Sequence, residues 1–225
     1  MRVSSHMSRR LCAACLAIAA LGALTTLAPT AAAQQAASPA PTATPPMVRI
    51  RGTLVSADAQ KLVVKDRSGE TLTLARAAEM PISEVYPIKL EDIKKGSYVG
   101  TAAMPQPDGT QKAIEVLVFP EAARGSGEGH RPWDLQPEST MTNATVANLA
   151  PAPASVSGGR ELKLSYKGGE KTVIVPPDVP IVSFKHADDS LLVPGAKVLI
   201  TAQDKNRTPT ALRVLAGRDG FAPPM

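Results

Sequence analysis

The chain has 225 residues, with 21 prolines, 3% aromatic and 20% charged side chains. Proline stands above its usual share of about 5% and charge below its usual ~25%, a turn-rich, weakly charged composition that disfavours coiled coils and large helical bundles. No apolar stretch of about 18 residues follows the N-terminus, which speaks against a polytopic helical membrane protein.

The first segment reads as an export signal. Arg2, Arg9 and Arg10 make a positive start without an acid, Leu11 to Leu24 form an apolar run, and Ala31-Ala32-Ala33 precede Gln34. Residues 1–33 are therefore expected to be a signal peptide cleaved after Ala33, and the product to be periplasmic or secreted. Ser8-Arg9-Arg10 also matches the opening of a twin-arginine signal. Cleavage leaves 22 Lys and Arg against 20 Asp and Glu, so the formal net charge falls from +5 to +2. So small a charge sets up no field that gathers phosphates or anionic headgroups, and neither nucleic acid nor a membrane surface is an expected partner. Cys12 and Cys15 leave with the signal, and with them any disulfide or catalytic thiolate. Residues 34–47, QQAASPAPTATPPM, have no hydrophobic period and read as an extended, disordered spacer.

Beyond the spacer the chain repeats itself. Segments 48–119 and 143–217 superpose at an offset of 98 to 100 residues: Ser68-Gly69-Glu70 on Gly168-Gly169-Glu170, Pro81-Ile82 on Pro180-Ile181, Gly96-Ser97-Tyr98-Val99 on Gly195-Ala196-Lys197-Val198, and Ala113-Ile114-Glu115-Val116-Leu117 on Ala211-Leu212-Arg213-Val214-Leu215. Residues 120–142 form a linker between the copies and 218–225 a tail. Within each copy the period is two. Val48, Ile50, Gly52 and Leu54 alternate with Arg49, Arg51 and Thr53, and Leu162, Leu164 and Tyr166 alternate with Lys163 and Ser165, as half-buried strands do. Arg67-Ser68-Gly69 predicts a hairpin between strands 61–66 and 70–75, and Lys167-Gly168-Gly169 another. Pro81 and Pro180 are expected to end the third strand region. Leu90-Glu91-Asp92-Ile93-Lys94-Lys95-Gly96 predicts one short helical turn, with acids first, lysines last and glycine at the stop. Two more strands follow in each copy, at 97–103 and 111–119 and at 196–202 and 209–215.

Strand, hairpin, strand, short helix, hairpin is read as the order of a five-stranded OB-type barrel, which also hides strand edges in a small β unit. The expected fold is thus all-β, two tandem five-stranded OB-like small barrels. At Gly52-Thr53-Leu54, Leu90 to Val99 and Ala113-Ile114-Glu115-Val116 the chain resembles exported bacterial proteins of unknown function built from OB-like repeats, some relatives of which carry labels as metal transporter components. That resemblance covers most of the first copy and is looser in the second. It implies a fold and not an activity.

The linker holds the one unusual side-chain cluster. His130, Arg131, Trp133 and Asp134 bring together the sole tryptophan, a histidine and two opposite charges, with Met141 a few residues on. Trp133 is expected to plug the seam between barrels, with Arg131 and Asp134 pairing or capping nearby turns. A second reading is a soft-metal site for Cu(I) or Ag(I) on His130 and Met141, though the paired methionines of periplasmic copper carriers are missing and no metal ligand is favoured. No nucleophile elbow, zinc-protease, phosphate-loop or dinucleotide motif is present, so no catalytic residue and no cofactor is expected and the chain does not read as an enzyme. His186-Ala187-Asp188-Asp189 reads as a polar loop. Strands two and three of each copy offer only Tyr166 as a stacking platform, which again speaks against nucleic acid. The expectation is an exported, non-catalytic binding or assembly module of the bacterial cell envelope, with an envelope protein as partner.

Overall fold

The computed structural model describes residues 46–205 and 208–224, all inside one compact unit, Ala43–Met225. The segment expected to be a signal peptide and most of the expected spacer lie outside the described residues. The described part is all-β. Its first half carries β1 (Met47–Ala57), β2 (Lys61–Asp66), β3 (Thr71–Arg76), β4 (Ile82–Pro87), β5 (Tyr98–Pro105) and β6 (Gln111–Val118). A short β7 (Gly129–Pro132) follows, then β8 (Thr140–Pro151), β9 (Arg160–Tyr166), β10 (Gly169–Val175), β11 (Ile181–Ala187), β12 (Lys197–Lys205) and β13 (Thr208–Gly217).

Local chemistry accounts for the elements. In β2, Leu62 and Val64 are buried while Lys61 and Lys65 face water, as a period of two requires. The β2–β3 hairpin turns on Gly69, whose φ of 93° no β-carbon tolerates well, and the Asp66 carboxylate accepts from Ser68 Oγ at 2.7 Å and Glu70 N at 3.0 Å. The expected helical turn is a 3-10 turn, Leu90–Asp92, in which Asp92 accepts from the backbone N–H of Lys89 at 2.9 Å.

Five strands close into a barrel in the order β1–β2–β3–β13–β12, back to β1. All joints are antiparallel except β3–β13, which is parallel. The strands β8, β9, β10, β6 and β5 pair in a second circuit of the same order, again with a single parallel joint, β10–β6. Each ring takes three strands from one half of the chain and two from the other. The expectation of one barrel per copy is corrected here: the halves exchange their last hairpins.

The strand after each proline explains the exchange. Pro81 and Pro180 do not simply end a strand region, because β4 and β11 start directly behind them. The carbonyl of Pro81 accepts from Val214 N and that of Pro180 from Val116 N, both at 3.0 Å, which starts the parallel pairs β4–β13 and β11–β6. At about 3.3 Å per residue, six extended residues carry the chain about 20 Å away from the barrel it has begun. The hairpin that follows must then close the other ring. The two crossing strands pair antiparallel with each other, Val85 opposite Phe184 and Glu84 opposite Lys185, so positions equivalent in the two halves meet at an approximate two-fold axis.

The cores follow the rings. One cluster joins Leu54, Leu62, Val64 and Leu74 to Val198, Ile200, Val214 and the turn residues Leu191 and Leu192. A second joins Val99 and Val116 to Val146, Leu162, Leu164, Val173 and Val175. A third, Val85, Leu117, Val182, Phe184, Leu199 and Leu215, lies on the outer faces where the crossing strands run. Register shifts at Leu54/Ser56 and Val146/Asn148, and at Thr201/Ala202 and Ala102/Ala103, place matching bulges in the two rings. The first strands correspond at a shorter offset than the rest. Leu54 bonds to Ala196 O and accepts from Gly195 N, as Val146 does with Ser97 O and Gly96 N, and a longer β8–β9 connection makes up the difference.

Candidate functional site

The linker does not hang free. β7 pairs with β8, placing Arg131 opposite Met141 and His130 opposite Thr142. A loop follows in which Trp133 N donates to Ser139 O and the Ser139 hydroxyl donates to the Gln136 carbonyl at 2.7 Å, folding residues 133–139 back on themselves. The loop rests on β1. The Arg49 guanidinium lies 3.8 Å from the centre of the Trp133 ring, and Arg131 lies 5.5 Å from it. Asp134 accepts from Arg51 at 2.8 Å and stands 3.5 Å from Arg49. Burial pushes the Asp134 carboxyl up, but the Arg51 hydrogen bond and the two guanidinium charges outweigh it and hold the group below the usual carboxylate range.

Strand register builds two walls beside this loop. Arg49, Thr201 and Arg213 are partners across β1, β12 and β13, and side chains opposite one another on a ladder share a face. Across β7, β8, β5 and β6 the corresponding row is Arg131, Met141, Ala102 and Glu115. The walls, Trp133 and the third apolar cluster enclose a cleft of about 340 Å³. Leu117, Phe119, Leu199 and Leu215 give it an apolar lining, and Arg49, Arg131 and Arg213 give it charge. Gly100 keeps it open: a β-carbon there would stand 2.9 Å from Asn143 Oδ1 and 3.1 Å from the Phe119 ring.

The cleft is cationic and partly dry. Burial, then the neighbouring Arg49 charge, lowers the Arg131 guanidinium against a smaller opposing effect of Tyr98, and burial alone lowers Arg213. Among the described residues no carboxylate stands within ion-pair distance of either. Arg131 donates to Gly127 O at 2.7 Å, and Arg213 lies 5.2 Å from the centre of the Phe184 ring. Two lining groups have buried atoms without a hydrogen-bond partner, Trp133 Nε1 and Asn143 Oδ1. The Asn143 amide is oriented by its Nδ2, which donates to Ser126 O at 2.9 Å, so the carbonyl oxygen is the unpartnered end.

Of the residues singled out in the sequence, Arg131, Trp133 and Met141 line this cleft, while His130 and Asp134 do not. Met141 and Thr142 are consecutive in β8 and point to opposite faces, and His130 Nδ1 is bonded to Thr142 Oγ1 at 2.8 Å. His130 and Met141 are thus on different sides of the strand, and no observation favours a soft-metal pair there. His186 is exposed in β11, and the acids behind it are spent on structure, Asp188 accepting from Ser190 N and Asp189 pairing with Arg76. Among the described residues no group of three His, Cys, Asp or Glu is placed to hold a metal ion, and no helix is long and apolar enough to cross a membrane.

Sequence reasoning missed Arg49, Arg213, Gly100 and Asn143. One signal was present. Glu115 and Arg213 occupy equivalent places in the two copies, each flanked by apolar residues, and an opposite charge at matched positions marks where the halves are used differently. No family model, curated protein or solved structure matches this chain.

Proposed function

We propose that the chain is an exported, non-catalytic binding module of the bacterial cell envelope, built on OB-type barrels, whose ligand seats in the cleft between the two walls. The strand order of each ring, with one parallel closure between the third and fifth positions, supports the OB-type reading. The positive start, apolar run and Ala31-Ala32-Ala33 of the N-terminus support export. The observation that carries a binding role is the cleft itself, an apolar lining with a few convergent polar groups, two of them lacking partners. An unpaired buried polar atom costs roughly 1–3 kcal/mol, and a ligand that meets it recovers part of that cost.

The test is native mass spectrometry of protein recovered from an envelope fraction and incubated with the small-molecule extract of that fraction. The expected spectrum starts at Gln34 and shows a saturable adduct that the double substitution Trp133→Ala, Phe119→Ala removes. Absence of any adduct, or one indifferent to the substitutions, contradicts a ligand in this cleft.

A further inference from the structure

We infer that the cleft binds an N-acylated apolar α-amino acid through its free carboxylate. The inference rests on the binding role proposed above and names the ligand chemistry. Three guanidinium groups converge on one apolar cavity, and Asp134, which partly neutralises Arg49, is not among its lining residues. Arg131 and Arg213 carry desolvated positive charge without a carboxylate partner. A half-buried charge without its counter-charge carries part of the desolvation cost, so a ligand carboxylate is the group these two residues select, and planar guanidinium forks suit it geometrically. An inorganic anion would satisfy the charge and waste the lining. Leu117, Leu199, Leu215 and Phe119 call for an apolar body attached to the carboxylate.

Asn143 narrows the class. Its residue is 6% exposed, its amide is fixed by Ser126 O, and its Oδ1 accepts from nothing. A fatty carboxylate has no hydrogen to give this oxygen. An acylated amino acid has an amide N–H next to the carboxylate and an acyl carbonyl suited to the unpartnered Trp133 Nε1–H, so donor, acceptor, charge and apolar surface are matched together. Both residues line the cleft, and small shifts of its walls of the kind common on binding, with the Asn143–Ser126 bond kept, bring the two atoms into contact with the ligand. The same chemistry occurs in a small acyl amino acid and at the C-terminus of a peptide that ends in an apolar residue.

Trp133 is the only tryptophan, so its emission reports on the cleft directly. The probes are N-octanoyl-leucine, its carboxamide, its N-methyl derivative, and the peptide acetyl-Ala-Ala-Leu as acid and as amide. Saturable binding of N-octanoyl-leucine is expected, weakened at least tenfold by amidation, by N-methylation, and by Arg213→Gln or Arg131→Gln in protein whose thermal midpoint shows it to be folded. If the peptide acid binds as well as the acyl amino acid, the natural source is a chain terminus; if only the acyl amino acid binds, it is a small molecule. Equal affinity for acid and carboxamide, or no saturable response to any probe, overturns the inference. Should a cleft-dependent adduct still form in native mass spectrometry, the binding role stands with another ligand; should that adduct also be missing, both fall.

Discussion

Residues 46–119, produced without the second half, should show no cooperative unfolding transition, and neither should residues 139–224 alone; mixed in equal amounts, the two should recover one. The expectation follows from the exchange of hairpins. In the isolated first half, β1, β2 and β3 lose β12 and β13 and present two unpaired edges. Their cluster also loses Val198, Ile200, Val214, Leu191 and Leu192. A large apolar side chain contributes about 1.5–3 kcal/mol when fully buried, so the loss of several exceeds the roughly 5–15 kcal/mol that holds a typical domain together. The β5–β6 hairpin of the same fragment has lost its own ring and cannot turn back past β4 to replace the missing strands. Urea titration followed by far-ultraviolet circular dichroism reads the result. A cooperative transition in the first fragment alone would mean that its hairpin closes its own barrel.

The second large effect belongs to Glu115. Its side chain is 1% exposed, and neither carboxyl oxygen has a hydrogen-bond partner. Burial raises the group to about 8 against the opposing charge of Arg51. The sign is that of a buried neutral acid. Below the ordinary value of 4.5 the group is protonated in both folded and unfolded chains and exerts no pull; between 4.5 and about 8 the unfolded chain releases a proton that the folded one keeps. Stability from this group is therefore full at acidic pH and is lost as pH rises through that window, by about 1.4 kcal/mol for each pH unit, and is flat above it. Glu84, held low first by its Arg218 hydrogen bond, and Asp134, held low by Arg51 against its burial, work in the opposite direction in a separate window at and below the ordinary carboxylate range. The urea midpoint of the wild-type protein should fall between about pH 5 and about pH 8, and Glu115→Gln should remove most of that fall and be the more stable protein at the alkaline end. Equal slopes for the two proteins would show that Glu115 is not held neutral.

The strands were largely legible because their signals are local. Leu62 and Val64 against Lys61 and Lys65, the glycine at the β2–β3 turn and the Leu90–Asp92 turn before Gly96 all act within a few residues, and the structure places each where the pattern puts it. Partner choice was not legible. A hairpin such as β5–β6 presents the same alternation whichever barrel it closes, and with nearly equal spacing in both halves the register is identical either way. The deciding feature is β4. The sequence around Ile82 shows an apolar run after a proline but not the direction in which it leads the chain. The site divides along the same line. Trp133, Arg131 and Met141 stood out by residue type, whereas Arg49 and Arg213 read as ordinary water-facing positions of amphipathic strands. Only when the two circuits of paired strands turn their outer faces toward each other does such a position become the wall of a cleft.

The most direct test of the exchange uses two cysteine pairs in a chain that also carries Cys12→Ser and Cys15→Ser. Val48 and Ala202 are ladder partners, whereas Ala103, the counterpart of Ala202 in the first half, is partnered with Thr140. A disulfide needs Cα atoms within about 7 Å, which ladder partners satisfy. Oxidation of Val48→Cys, Ala202→Cys should give a bond found by non-reducing peptide mapping, and Val48→Cys, Ala103→Cys should give none. A bond in the second pair and none in the first would mean that each half closes its own barrel, and the cleft built from exchanged strands would go with it.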